Sequence, residues 1–152
     1  MKKTSAGVLA WRKSEGELKV LLVHPGGPYF AKKDDGAWSI PKGECGEGED
    51  LLAAAKREFE EELGSPINGT FTALAPVKQN GGKVVYAWAV EATINIEGFR
   101  SNTFTIEWPP KSGKMKEYPE VDRAEWFTIE EAKKKINEAQ KAFINELAGV
   151  TG

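Results

Sequence analysis

Between Gly43 and Gly64 the chain passes from a glycine-rich acidic loop, Gly43-Glu44-Cys45-Gly46-Glu47-Gly48-Glu49, into a segment patterned as a short helix. Asp50 is a good N-cap, and Leu51, Leu52, Ala54, Ala55, Phe59 and Leu63 give that segment one apolar side. Gly64 suits a left-handed C′ position, and Pro66 forbids continuation. Glu58, Glu61 and Glu62 stand at i, i+3 and i+4 and so share one face. Like charges at that spacing cost about 0.2–0.5 kcal/mol per pair, and the helix dipole disfavours negative charge in the last turns by roughly 0.3–1 kcal/mol apiece. Arg57 answers Glu61 at i+4, but one cation does not neutralise the cluster. Such a face is either simply solvated or built for a hard divalent cation. Mg²⁺ takes carboxylate oxygens and keeps waters for a phosphate ligand.

The spacing chooses between them. Gly43, five residues, Glu49, seven residues, Arg57-Glu58, an apolar residue, any residue, Glu61-Glu62, any residue, Gly64: this resembles the Nudix box. Seven fixed identities at set spacing agree by chance on the order of 10⁻⁸ per start point. One departure is visible, since the family usually places an aliphatic residue after the closing glycine and this chain has Ser65.

The resemblance implies an α/β fold, the Nudix α/β/α sandwich with a mixed sheet, as one domain over 1–152. It implies Mg²⁺-dependent hydrolysis of a phosphoanhydride in a nucleoside diphosphate linked to another group, with Mn²⁺ as a substitute metal. Glu58, Glu61 and Glu62 are then the metal-facing set, joined by the backbone carbonyl of Lys42. Glu61 or Glu58 orients or deprotonates the attacking water, and the sequence does not separate the two jobs. Arg57 holds the carboxylates in place and pairs with Glu49. Pro119-Glu120-Val121-Asp122-Arg123-Ala124-Glu125-Trp126 resembles the MutT-type segment that carries an extra metal-binding glutamate. Glu120 is the candidate, as ligand or base, with Glu117 its rival. Trp38-Ser39-Ile40-Pro41-Lys42-Gly43 resembles the corresponding segment of diadenosine tetraphosphate hydrolases and of some nucleoside triphosphate pyrophosphohydrolases. Dinucleoside polyphosphates and nucleoside triphosphates are therefore the favoured substrates. The alternatives are an ADP-ribose or nucleotide-sugar pyrophosphatase, and a nucleotide sensor without catalysis. Such sensors typically lose box glutamates, and this chain keeps them. A calcium-binding protein is disfavoured because no EF-hand spacing is present.

Composition limits the partners. At 152 residues and net charge −2 the chain has no overall nucleic-acid or membrane footprint. A small nucleotide is the expected ligand, and the oligomeric state is left open. Met1-Lys2-Lys3 begins like a signal sequence, but Arg12 and Lys13 interrupt any apolar run, and no stretch is long enough to span a membrane. A single cysteine, Cys45, excludes an internal disulfide and suits a reducing cytoplasm, where it reads as a spectator thiol.

The rest of the chain alternates strands and turns. Thr4–Ala10 and Leu18–Val23 read as strands joined by a hairpin turn, the second apolar enough to be covered on both faces. His24, the only histidine, reads as structural. Tyr29–Trp38 reads as a flap whose Lys32 and Lys33 meet phosphates and whose Tyr29 or Phe30 stacks on a base. Phe71–Val77 and Val84–Ala92 are expected to flank a turn at Asn80-Gly81-Gly82. Thr103–Trp108 reads as a strand, and Pro109–Pro119 as a polar loop bringing Lys111, Lys114 and Lys116 toward the cleft. Arg123–Phe127 reads as a short last strand. Thr128-Ile129-Glu130-Glu131 is a capping box opening one helix to about Leu147, with Ala132, Ile136, Ala139, Phe143 and Leu147 facing the core.

Overall fold

A computed structural model describes residues 4–151, so Met1-Lys2-Lys3 lies outside the described residues. Strand β1 (Thr4–Ser14) turns into β2 (Glu17–Pro25) through Glu15 and Gly16, which both adopt positive φ. Two such residues are what a tight two-residue hairpin turn requires. Along one edge β1 pairs with β2 at Trp11–Ser14 and then, further back, with the short β3 (Lys42–Glu44) at Ser5–Gly7. That fork delivers the start of the glycine-rich loop onto the sheet. Gly7 permits it, because a Cβ there would meet the Pro41 carbonyl oxygen at 2.6 Å.

The other edge of β1 runs parallel to β6 (Val84–Glu91), and β4 (Phe71–Ala73) and β5 (Val77–Lys78) pair antiparallel with β6. Beyond β2 lies β9 (Val121–Thr128), antiparallel. The main sheet is therefore mixed, in the order β4-β6-β1-β2-β9. Helix α1 (Leu51–Leu63) covers one face, packing Ala54, Ala55, Phe59 and Leu63 against Ala6, Val8, Ala10, Leu21 and Val23. Helices α2 (Ile129–Lys135) and α3 (Lys141–Thr151) cover the other, with Phe143, Ile144 and Leu147 against Leu9, Val20 and Leu22. Alternate residues of β2 thus serve opposite cores, which explains its unbroken apolar run. The result is the expected α/β/α sandwich. Among the described residues no helix is long and apolar enough to cross a membrane.

Three elements differ from expectation. The stretch expected as one strand at Phe71–Val77 is interrupted between β4 and β5, around Pro76, which has no N–H for a ladder. The polar segment after Trp108 is not all loop: Met115–Pro119 forms β8 and pairs with β7 (Thr103–Glu107) in a ribbon separate from the main sheet. Its exposed polar residues have no helical or alternating apolar signature, so pairing rather than burial makes the strand.

The last helix is broken. Ile136 leaves it with extended backbone, bridges to Trp38, and Asn137 N–H donates to the Trp38 carbonyl at 2.8 Å. Asn137 then caps the next turn, a short 3₁₀ segment at Glu138–Gln140. Ile136 is buried as the periodicity predicts, but Gln140 is fully buried where the pattern points to the partly exposed Ala139.

Candidate active site

Asp50 accepts from the Ala53 N–H at 3.0 Å, and Gly64 closes α1 in the left-handed conformation at φ 74°. The cap fixes the register that puts Glu58, Glu61 and Glu62 on the side facing β3 and the loop before β9. Gly43 is essential to this approach, since a Cβ there would fall on the Glu58 carboxylate. Ser65, at the atypical position, is half-buried, and Ile67 packs into the α1 core two residues later.

The carboxylates differ in environment. Glu58 and Glu62 are nearly buried, at 9% and 8% exposure. Burial pushes Glu62 up to about 8, against the pull of the Lys42 ammonium and backbone N–H, with Glu58 and Glu120 adding to the rise. Burial also raises Glu58, opposed by its hydrogen bond from Arg57. Glu120 is raised by burial and then by Glu61. These carboxylates therefore repel one another across a common space. Arg57 is the local counterweight. Its Nη1 donates to Glu58 at 2.9 Å and to Glu61 at 3.0 Å, while Nε and Nη2 grip Glu49.

Glu120 reaches the box because the chain is pinned on both sides of it. Its N–H donates to the Asn102 carbonyl and its carbonyl accepts from Gly26 N–H, while Asn102 N–H donates to the Glu61 carbonyl. Glu117 stays out on the ribbon, accepting from Thr103 Oγ1 at 3.0 Å. Among the described residues no three His, Cys, Asp or Glu side chains form a ready-made metal cage. Arg57 draws Glu58 and Glu61 to itself. The donor set is nevertheless all hard oxygen, and its mutual repulsion is of the kind a divalent cation relieves, so the residues fit such an ion by chemistry and charge.

The flap at residues 29–38 is tied down rather than a free turn. The fully buried His24 places Nε2 2.7 Å from the Lys33 carbonyl and Nδ1 2.7 Å from Asp122. Asp34 accepts from Trp38 Nε1 and from Lys135. Lys33 lies over the Phe30 ring, and Tyr29 packs edge-on to Trp108 at 5.1 Å. Lys32 and Lys33 are exposed, as are Lys111, Lys114 and Lys116 on the ribbon. None of these five lines the cleft.

The cleft consists of two adjoining cavities that share Pro25, Ser39 and Lys42. The smaller, about 130 Å³, is bordered by Glu62 and Glu120. The larger, about 550 Å³, is bordered by Phe30, Lys78, Gln79, Lys83 and Asn137. Lys78 and Lys83 escape a reading of loop composition. They bracket the turn at residues 79–82, and Gln79 N–H donates to the Lys83 carbonyl, so the hairpin brings both to one place. Two lysines flanking a tight turn were the available signal.

The NUDIX domain family model matches residues 1–147. The chain belongs to the Nudix hydrolase family. Among solved structures it resembles a C. elegans Ap4A hydrolase in a binary complex, at TM-score 0.66 and 20% identity over 97% of this chain and 96% of that one. It also resembles the MutT Nudix hydrolase of Burkholderia pseudomallei, at TM-score 0.64 and 20% identity over 97% and 98%. A third is the Nudix domain of Shewanella oneidensis NrtR complexed with ADP ribose, at TM-score 0.66 and 14% identity over 99% and 88%. None of the curated proteins compared matches the chain. Nudix neighbours thus span an Ap4A hydrolase, MutT and an ADP-ribose complex. Their common ground with this chain is the fold.

Proposed function

We propose that this Nudix domain hydrolyses a phosphoanhydride bond in a nucleoside polyphosphate with Mg²⁺ as the metal, dinucleoside polyphosphates and nucleoside triphosphates being the favoured substrates, in a reducing cytoplasm. The observation that carries the reading is the intact carboxylate cluster. Glu62 and Glu120 border the smaller cavity, Glu58 lies near enough to Glu62 to repel it, and their environments raise all three. A sensor has no use for that repulsion.

Glu58, Glu61, Glu62 and Glu120, with the Lys42 carbonyl, would hold the cation. Bound there, Mg²⁺ neutralises phosphate oxygens and acidifies a coordinated water. The chain's own groups do the rest. Arg57 fixes Glu58 and Glu61 and keeps their oxygens from swinging into solvent. One Glu61 oxygen is engaged by Arg57, and the other is assigned the proton of the attacking water. As the water oxygen bonds to phosphorus, the phosphorus–bridging oxygen bond breaks, and the bridging oxygen leaves on the second phosphate. Glu120, across from Glu61, is the second acceptor for that proton.

The test is turnover of a panel comprising diadenosine tetraphosphate, nucleoside triphosphates, ADP-ribose and diphosphoinositol phosphates, with products separated by chromatography. Mg²⁺-dependent cleavage of the first two classes is expected. A protein that binds these nucleotides and cleaves none of them with Mg²⁺ or Mn²⁺ is a sensor, and the proposal fails.

A further inference from the structure

The larger cavity has a chemical character of its own. Lys42, Lys78 and Lys83 border it, together with the neutral amides of Gln79 and Asn137. Among the described residues Glu138 is its only acidic neighbour, and that carboxylate is paired with Lys141 at 2.8 Å. Among the described residues none of the three lysines takes part in an ion pair, whereas Lys135 and Lys141 do. The Lys83 ammonium stands beside that of Lys42, so two cations of like sign converge on one wall. Among the described residues Phe30 is the one aromatic side chain bordering the space.

Lys42 also borders the smaller cavity with Glu62 and Glu120. The cleft therefore changes sign along its length, from carboxylates that suit a cation to ammonium groups that suit an anion. A linear anion bound at the carboxylate end through a metal would continue into the lysine end. The segments that border it are tied together. Buried Gln140 accepts from Ile40 N–H at 3.0 Å and donates to Gln79 at 3.3 Å, which ties the β5–β6 turn to the segment that carries Lys42.

We propose that this cavity is a polyphosphate subsite, in which Lys42, Lys78 and Lys83 bind phosphates of the substrate beyond the bond that is cleaved. The inference rests on the hydrolase reading above and deepens it, since it makes phosphate count the selected property. A volume of about 550 Å³ lies within the usual range for a small-ligand site and accommodates more than one phosphate. Lysines act there as mobile point charges, which tolerate variation in what the phosphate chain carries at its far end. Substrates with three or more linked phosphates gain these contacts, and a two-phosphate bridge such as that of ADP-ribose does not.

The experiment combines binding and kinetics on the full chain. Inorganic tripolyphosphate is titrated calorimetrically with and without added Mg²⁺, into wild type and a Lys78→Ala, Lys83→Ala variant. A Lys13→Ala, Lys134→Ala variant controls for net charge, as both lysines are exposed and border neither cavity. The cavity variant is expected to lose affinity about tenfold or more, while Lys83→Arg retains most of it and the control is unchanged. The kcat/KM ratio of diadenosine tetraphosphate to ADP-ribose should fall by a similar factor in the cavity variant. Unchanged tripolyphosphate affinity and an unchanged ratio, or an equal loss in the control, overturn the subsite. If lysine-dependent tripolyphosphate binding is found in a protein that hydrolyses nothing in the panel, the subsite stands and the hydrolase reading falls. If hydrolysis is found without lysine dependence, the reverse holds. Lys83→Gln, which keeps length and removes charge, replaces the alanine variant if circular dichroism shows that variant unfolded.

Discussion

Arg57 holds Glu49 with two hydrogen bonds, Nε to Oε2 at 2.8 Å and Nη2 to Oε1 at 2.9 Å, while its Nη1 turns the other way to Glu58 and Glu61. One planar side chain thus fastens the acidic loop to α1 and stands between two like charges. The Arg57 hydrogen bonds, and then the Gly46 N–H, hold the Glu49 carboxyl down at about 2.

Lysine cannot reproduce that fork. Arg57→Lys is expected to cost about 1 kcal/mol of stability, a modest figure because the pair is partly solvated. Turnover should suffer more, about tenfold to a hundredfold in kcat, because Glu58 and Glu61 lose their fixed positions. Denaturant melts and steady-state kinetics on one preparation check both. A fall in stability with kcat intact would confine Arg57 to a structural role.

Gly43→Ala places a methyl group on the Glu58 carboxylate. The carboxylate is the end of a side chain and can swing away, so the fold should survive with a melting temperature within a few degrees of wild type. Glu58 would then be displaced from the box, and kcat should drop about a hundredfold. Wild-type turnover from this variant would show that Glu58 need not sit where it does.

Glu61→Gln removes a charge from a half-exposed position, relieving its repulsion of Glu58 and Glu120 at the expense of its ion pair with Arg57. Without metal the melting temperature should hold or rise, while turnover is mostly lost. Millimolar Mg²⁺ should raise the melting temperature of wild type, because it binds the folded cluster and not the unfolded chain, and should raise that of the variant less. A wild type whose melting curve Mg²⁺ leaves unmoved, with and without a nucleotide analogue, contradicts the assigned ligands.

The metal-free protein should lose stability as pH rises from about 4.5 to about 8, because Glu62 is protonated in the folded chain across that window and ionised in the unfolded one. Glu58 and Glu120, raised in the same direction, steepen the fall. Lys42 is lowered from 10.5 to about 8 by burial and then by Lys83, so above that range the folded chain binds fewer protons and stability climbs again with pH. Glu49 has the opposite sign to Glu62: its contribution is present above 4.5 and is lost as pH falls toward 2. Melting curves against pH should therefore peak at about pH 4.5. Glu62→Gln should flatten the alkaline-side fall, and so should Mg²⁺, which binds the ionised carboxylates. An identical slope in Glu62→Gln would remove Glu62 as its source.

The sequence by itself determined the elements whose signals are local. Asp50, the apolar side and Gly64 settle α1, because caps and periodicity act within a few residues. The box spacing names the family for the same reason. The apolar run of β2 announces burial on both faces. What the tertiary structure decided is whatever depends on partners distant in the chain. Met115–Pro119 is a strand only because Thr103–Glu107 lies beside it. The final helix breaks because Trp38, about a hundred residues earlier, takes the backbone of Ile136 and Asn137. The same holds for the cleft. Lys42, Lys78 and Lys83 converge through the β1–β3 fork and the β5–β6 hairpin, whereas Lys32 and Lys33 lie outside although they look better placed in the sequence. A charge's partners are set by distances through space, and periodicity along the chain carries no record of them.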